Sequence, residues 1–386
     1  MMPPDELMLE ILTRLPGKQL GKCKCVCKSW QSLIGGPVFM DIYRNRQRRL
    51  ILYSALRPRE SLYSRLSCFS STLGRLKEST EEFSCLSELQ IKPFYCTQAV
   101  NGLMCIIEND CRISVYNICT GQLMSVPEPN DCGSDTRSTF HFGYDPVSKV
   151  YKLIRLMCSG NSRLTQVEVI NLRPSNSSAT WRKLDNDACD LSDFRYLVSQ
   201  FLFTDDGFLW FLSGLDSLFS FDLNKEKFKR IKLPEGIRDE TQTFNLIQSM
   251  GRPAMWVLPK AAKSSCFILF VLENYEGDMW NKYCVQFPEE LGGFHNFTID
   301  MGNLPTGEIL LTNVMVRSQD HYMSVYAFDH HTSKFDHFLI REFPKRPHAY
   351  VRGSQNHGHE CAKISCLHDN NCLYLSLNDI LSSGGV

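Results

Sequence analysis

Five segments of this chain recur at a spacing of about 50 residues, and that spacing restricts the fold more than any other feature. Each copy is a strand-like run ending in Asn or Asp, then a polar turn, then a large apolar residue. The copies are Val115-Tyr116-Asn117 with Leu123, Val169-Ile170-Asn171 with Trp181, Ser220-Phe221-Asp222 with Phe228, Leu272-Glu273-Asn274 with Trp280, and Ala327-Phe328-Asp329 with Phe335. The Asn/Asp positions are 54, 51, 52 and 55 residues apart. In four copies the large residue follows six positions later, and the copy at Asn171 holds four extra residues, mostly Ser and Asn. Asn or Asp opens a turn by hydrogen-bonding the backbone just ahead of it. The returning strand then lays its large residue against the neighbouring unit.

A second element precedes each copy. It reads Gly102-Leu103-Met104-Cys105-Ile106, Gly207-Phe208-Leu209-Trp210-Phe211 and Gly307-Glu308-Ile309-Leu310-Leu311, with Tyr151 to Leu156 and Ala254 to Leu258 in the same place without the glycine. Such nearly continuous apolar runs suit strands covered on both faces. A period near 50 residues with about four strands per unit is what a β-propeller requires. The expected fold is mainly β, with about six blades. A strand from Leu50 to Tyr53 would pair with the C-terminus to close the ring, and Asn371-Cys372-Leu373-Tyr374-Leu375 offers a last copy. An irregular β-sandwich or open barrel is the alternative.

The first fifty residues follow a different period. Pro4 suits a first helical position, and Asp5 and Glu6 complement the positive end of the helix dipole. Leu7, Met8, Ile11, Leu12 and Leu15 fall on one face at helical spacing. Pro16 and Gly17 end that helix. Leu20, Cys23, Val26, Cys27, Trp30, Leu33 and Ile34 form a second apolar face over two short helices, and Gly35-Gly36-Pro37 closes it. About forty residues of amphipathic helix cannot build a self-sufficient core. The apolar face must pack on the rest of the chain or on another protein.

The residues themselves resemble a known family. Pro4-Asp5-Glu6-Leu7, Glu10-Ile11-Leu12, Arg14-Leu15-Pro16, Leu20 and Val26-Cys27-Lys28-Ser29-Trp30 are similar to the F-box, with Pro3 standing where the family has Leu. The resemblance implies docking on a Skp-type adaptor, and through it on a cullin, in a ubiquitin ligase. It assigns Pro4, Leu7, Ile11, Leu12, Leu15, Pro16, Leu20, Val26, Cys27 and Trp30 to the adaptor-facing surface or to the small core behind it. Asn101-Gly102-Leu103-Met104-Cys105, Phe142-Gly143-Tyr144-Asp145-Pro146, Tyr151-Lys152-Leu153 and Trp181-Arg182 resemble the F-box-associated, kelch-like domain of plant F-box proteins. The expected division is an F-box over residues 1–45, a connecting segment with the first strands over 46–95, and the propeller over 96–386.

Composition excludes several other classes. With 43% apolar and 11% aromatic residues among 386, the chain can bury a large core and is not disordered. Forty-two basic residues balance 42 acidic ones, so a nucleic-acid partner is not expected. Arg44, Arg46, Arg48 and Arg49 read as a solvated connecting face. The most apolar run, Cys266 to Leu272, is seven residues, far short of the roughly 20 that span a membrane. No basic segment and apolar run follows Met1, so a cytoplasmic or nuclear location is expected.

No chemistry of catalysis stands out. None of the 17 cysteines forms a C-x-x-C pair, and they read as small buried apolar residues. The His357, His359, Cys361, Cys366, His368 and Cys372 cluster fits no common zinc spacing, so neither metal nor cofactor is expected. The turn carboxylates Asp145, Asp205, Asp206 and Asp216 read as turn chemistry, His330-His331 as an exposed turn, and Trp210, Trp256 and Trp280 as core. No phosphate loop, dinucleotide fingerprint or nucleophile elbow is present. The expected function is that of a non-enzymatic substrate receptor. Its variable connections, about Asn130 to Ser138, Leu184 to Asp193, Pro234 to Gln242 and Val316 to His321, would read an unidentified target protein. The alternatives are a non-ubiquitin scaffold or ligand receptor using the propeller, and a propeller hydrolase that would use the turn carboxylates.

Overall fold

The computed structural model describes residues 5–15, 17–36, 38–39 and 42, then, between 49 and 341, the strands given below with many of the turns joining them, and finally 362–365. Three helices come first: α1 (Asp5–Leu12), α2 (Gly17–Lys24) and α3 (Lys28–Gly35). Among the described residues, twenty-four strands follow, in six antiparallel sheets of four.

Blade one begins with β1 (Arg49–Leu56), β2 (Ser64–Thr72) and β3 (Ser84–Ile91). Blade two holds β4 (Phe94–Cys96), β5 (Leu103–Glu108), β6 (Ile113–Asn117) and β7 (Leu123–Val126). Blade three holds β8 (Arg137–Asp145), β9 (Val150–Cys158), β10 (Leu164–Leu172) and β11 (Arg182–Lys183). Blade four holds β12 (Tyr196–Thr204), β13 (Phe208–Ser213), β14 (Ser217–Asp222) and β15 (Lys227–Lys232). Blade five holds β16 (Thr241–Ser249), β17 (Arg252–Pro259), β18 (Cys266–Asn274) and β19 (Met279–Gln286). Blade six holds β20 (Met301–Asn303), β21 (Ile309–Val316), β22 (His321–Asp329) and β23 (Lys334–Arg341).

The last strand, β24 (Ala362–Ser365), returns to blade one and pairs with β1, Leu52 opposite Ile364. One sheet thus joins both ends of the ring, so the six-bladed propeller is the architecture and the open alternatives fall away. The closing strand is Ala362–Ser365; the copy anticipated at Asn371 to Leu375 lies outside the described residues.

Each repeated Asn or Asp sits at the end of its blade's third strand. Asp222 Oδ1 accepts from the Asn224 and Lys225 amides, each at 2.9 Å. Asn274 Oδ1 accepts from the Glu276 and Gly277 amides at 2.9 and 3.1 Å. In blades four to six the turn finishes on a left-handed residue just before the fourth strand: Glu226, Asp278 and Ser333. The residue just before the second strand is left-handed too, and is Gly102, Lys149, Gly207 or Gly251 in blades two to five. The glycine of blade five was therefore present in the sequence, three residues ahead of Ala254. Among blades two to five, only in blade three does a side chain, Lys149, take up that conformation in its place.

The second strands are buried along almost their whole length in β5, β9 and β13. The core is a series of layers between blades. One joins blades two to four around Phe142, Leu153 and Phe219, another joins blades four and five around Trp210, Met255 and Phe270, and a third joins blades five and six around Trp256, Phe267 and Phe328. The helices have a separate small core of Met8, Leu12, Leu20, Ile34 and Phe39.

Candidate functional site

The helical piece divides its apolar residues between two tasks. Met8, Leu12, Leu20, Ile34 and Phe39 are buried, with Leu15, Cys23, Trp30 and Leu33 packed around them. Leu7 and Ile11 stay 50% and 47% exposed, and Val26 and Val38 are 63% and 62% exposed. Leu7 and Ile11 are one helical turn apart, so they share a face of α1. Four large aliphatic side chains about half open to solvent leave unclaimed roughly half of the ~1.5–3 kcal/mol that full burial of each contributes.

Local chemistry fixes this piece. The Thr13 hydroxyl donates to the Leu9 carbonyl at 2.7 Å and closes α1. Cys27 is the N-cap of α3, its sulfur accepting from the Trp30 amide at 3.5 Å. Lys22 and Lys24 occupy the last turn of α2, where positive charge complements the dipole. Of the ten residues assigned from the sequence, Leu7, Ile11 and Val26 lie on the surface. Leu12 and Leu20 form the core, and Leu15, Cys27 and Trp30 are half-buried between them. Pro4 and Pro16 lie outside the described residues.

The two rims of the ring differ. Hairpins joining first to second and third to fourth strands gather on one rim and carry the Asn/Asp turns. Connections from second to third strands, and from one blade to the next, emerge on the other. All four connections expected to read a target join strand ends on this second rim: β7 to β8, β11 to β12, β15 to β16, and β21 to β22. Most of their own residues lie outside the described set. The chain enters the ring at Arg49, opposite Thr72, on the rim of the Asn/Asp turns. The helices are therefore tethered to the rim opposite the variable connections.

The turn carboxylates hold blades together. In Phe142-Gly143-Tyr144-Asp145-Pro146, the buried Asp145 accepts from the Val147 and Ser148 amides at 3.0 and 3.2 Å and from the Ser148 hydroxyl at 2.6 Å. It reaches blade four through the Asn224 side-chain amide at 3.3 Å. The buried Lys152 ammonium lies 3.5 Å from Asp145 and donates to Glu226 Oε1 at 2.7 Å and to the Leu223 carbonyl at 2.5 Å. Arg182 closes on the same Glu226 oxygen. Burial alone would raise the Asp145 carboxyl, but the hydrogen bonds from Ser148, Asn224 and Val147 outweigh it and hold it below its ordinary value. Burial likewise opposes ionisation of Glu226, and Arg182 and Lys152 reverse the balance, so it too sits below its ordinary value.

The residues after Asp222, Asn274 and Asp329 pack against the preceding blade, a role that sequence reasoning missed. A Cβ placed on Gly143 of blade three would lie 2.6 Å from Leu223 Cδ1. Tyr275 packs on Phe208 and Trp210 of blade four, with centroids 5.3 and 5.9 Å away. His330 meets Tyr283 of blade five edge-on at 4.4 Å. It is thus half-buried at a blade junction, whereas the sequence pointed to an exposed turn; His331 is outside the described residues. The signal was available, since buried Ile118 and Leu172 hold the same place after Asn117 and Asn171.

The tryptophans divide similarly. Trp210 and Trp256 are buried, as expected. Trp280 is a half-buried clasp whose Nε1 donates to the Lys232 carbonyl of blade four at 2.9 Å. Trp181 does the same from blade three to the Pro127 carbonyl at 2.7 Å. Leu123 departs from the pattern and is 44% exposed. The buried His141 is pushed down to about 3 by its burial and lies 4.6 and 4.8 Å from Phe201 and Phe211, a neutral packing residue. Among the described residues, no three His, Cys, Asp or Glu side chains are grouped to hold a metal ion. The His/Cys cluster of 357–372 lies outside that set.

Comparison with known proteins settles the family. The model of the F-box associated beta propeller domain matches residues 51–370, and that of the F-box domain matches residues 4–41. The chain belongs to the F-box proteins with an F-box associated β-propeller. Similar relatives include two F-box/kelch-repeat proteins of Arabidopsis thaliana. One is 26% identical, covering 75% of this chain and 70% of its own length, and the other is 28% identical, covering 80% of each. An F-box protein of the same plant is 27% identical over 85% of this chain and 86% of its own. Among the described residues of this F-box protein, no helix is long and apolar enough to cross a membrane.

Proposed function

We propose that this F-box protein is the substrate-recognition subunit of a Skp–cullin–F-box ubiquitin ligase. The observation that carries the reading is the exposure of Leu7, Ile11, Val26 and Val38 on a helical piece that already has its own core. These side chains dock on the Skp-type adaptor, and the cullin is reached through it. The propeller offers its second rim to a target protein. Tethering the helices to the opposite rim leaves that surface clear while the adaptor is engaged.

The chain needs no catalytic residue for this task. Holding a target beside a charged conjugating enzyme raises its effective concentration, and the chemistry is performed elsewhere in the assembly. The commitment of Asp145 to Ser148, Asn224 and Lys152 supports a structural role for the carboxylate that a hydrolase reading would need free.

Proximity labelling in plant cells tests the reading. The full chain carrying Leu7→Asp and Ile11→Asp keeps its propeller but loses the ligase, so labelled targets accumulate relative to wild type. An unchanged labelled set, with targets equally abundant in both, contradicts it.

A further inference from the structure

We propose that Cys266 and Cys284 form a peroxide-responsive dithiol, a modification site on blade five whose oxidised form is a disulfide joining β18 to β19. In the register of this pair Cys266 faces Gln286 and Ile268 faces Cys284. Side chains alternate along a strand, so the two cysteines share one face as diagonal neighbours. Strand twist shortens one diagonal of such a square, and the Cys284 thiol is near enough to perturb that of Cys266. Cys284 is exposed and Cys266 partly so.

Cys105 and Cys158 are buried. Cys96 faces Ile106, which puts it on the opposite face of its sheet from the adjacent Cys105. Burial, and then the neighbouring Cys284 thiol, pushes the Cys266 thiol up. The exposed Cys284 therefore meets the oxidant first.

The balance is simple. The Cys284 sulfur attacks hydrogen peroxide, the O–O bond breaks, and sulfenic acid and water form. The Cys266 sulfur then attacks that sulfenic sulfur, the S–O bond breaks, and the hydroxide leaves with a proton as a second water. Two thiols have given two electrons to one peroxide. A bridge across a diagonal is strained, and strained exposed disulfides are the readily reduced ones. In a reducing compartment the staple is reversible. It sits where β18 begins and β19 ends, on the rim of the interblade connections.

Trypsin makes the test direct, because cleavage after Lys263, Lys282 and Arg317 places the two cysteines in separate peptides, Ser264–Lys282 and Tyr283–Arg317. Reduced full-length protein is treated with hydrogen peroxide, alkylated and digested. The expected product is a linked pair of these two peptides, lost on dithiothreitol treatment. Cys266→Ser should instead stop at a dimedone-reactive sulfenic acid on Cys284. The proposal is overturned if both cysteines are recovered alkylated while exposed Cys25 has reacted. It is equally overturned if Cys284 oxidises alone in wild type or links to a different cysteine.

Discussion

Pro146 of blade three lies against Gly207 of blade four so closely that a Cβ on Gly207 would stand 2.6 Å from the proline Cδ. Gly207 also has φ of +89°, in the left-handed region. Two motifs some sixty residues apart thus meet at one point: the Pro of Phe142-Gly143-Tyr144-Asp145-Pro146 and the Gly of Gly207-Phe208-Leu209-Trp210. Gly207 is required both by its own backbone conformation and by the approach of Pro146.

Gly207→Ala therefore costs both backbone strain and a clash, about 3 kcal/mol in total. Gly251→Ala serves as the control, because its φ is +75° but nothing lies within 4 Å of the added carbon. That change should cost only about 1 kcal/mol. Urea unfolding of both variants checks the difference, and equal losses would remove the blade contact from the account.

Glu226 is the meeting point of Lys152 and Arg182. Glu226→Gln keeps the shape but leaves the buried ammonium with the Leu223 carbonyl and, for charge, the more distant Asp145 at 3.5 Å. The expected loss is about 3 kcal/mol at pH 7, read from chemical denaturation.

The pH dependence has a definite sign. Asp145 and Glu226 both have folded pKa values below their ordinary ones. They bind fewer protons folded than unfolded, so their contribution is complete above the unfolded carboxylate values, about pH 4. It disappears as the pH falls through the folded values. Because buried His141 stays neutral in the fold while the unfolded chain protonates it below about pH 6.5, melting temperature should begin to fall there and fall more steeply once the two carboxylates titrate below about pH 5. The gap between wild type and Glu226→Gln should narrow over the same acid range; a gap constant down to pH 3 contradicts the assignment.

Trp181→Phe and Trp280→Phe each remove one donor from a blade junction while keeping a ring. Each should cost about 1 kcal/mol. They serve different junctions and share no partner, so the double variant should lose about 2 kcal/mol. Denaturant midpoints of the three variants test this, and strong non-additivity would mean the clasps are coupled.

The ring was legible in the sequence because its punctuation is chemical. Asn117, Asn171, Asp222, Asn274 and Asp329 mark turns that need a side-chain acceptor, and they recur because the blades do. Blade one was harder to read, since its turn between Thr72 and Ser84 carries no such residue in the matching place. The Asp145 network was not legible, because its members come from turns about eighty residues apart and only the closed ring unites them. In the helices, spacing put Leu7, Met8, Ile11 and Leu12 on one broad face. It did not reveal that Met8 and Leu12 fill the core while Leu7 and Ile11 remain open, a division decided by the third helix and Phe39.

That division allows the most direct test. Leu7→Asp with Ile11→Asp alters only exposed side chains, whereas Leu12→Ala opens the core at about 2–5 kcal/mol. The measurement is calorimetric titration of the purified full chain with a Skp-type adaptor. Wild type should bind, and the Leu7/Ile11 double variant should lose at least a hundredfold in affinity with its melting temperature unchanged. Wild-type affinity retained in that variant would contradict the account.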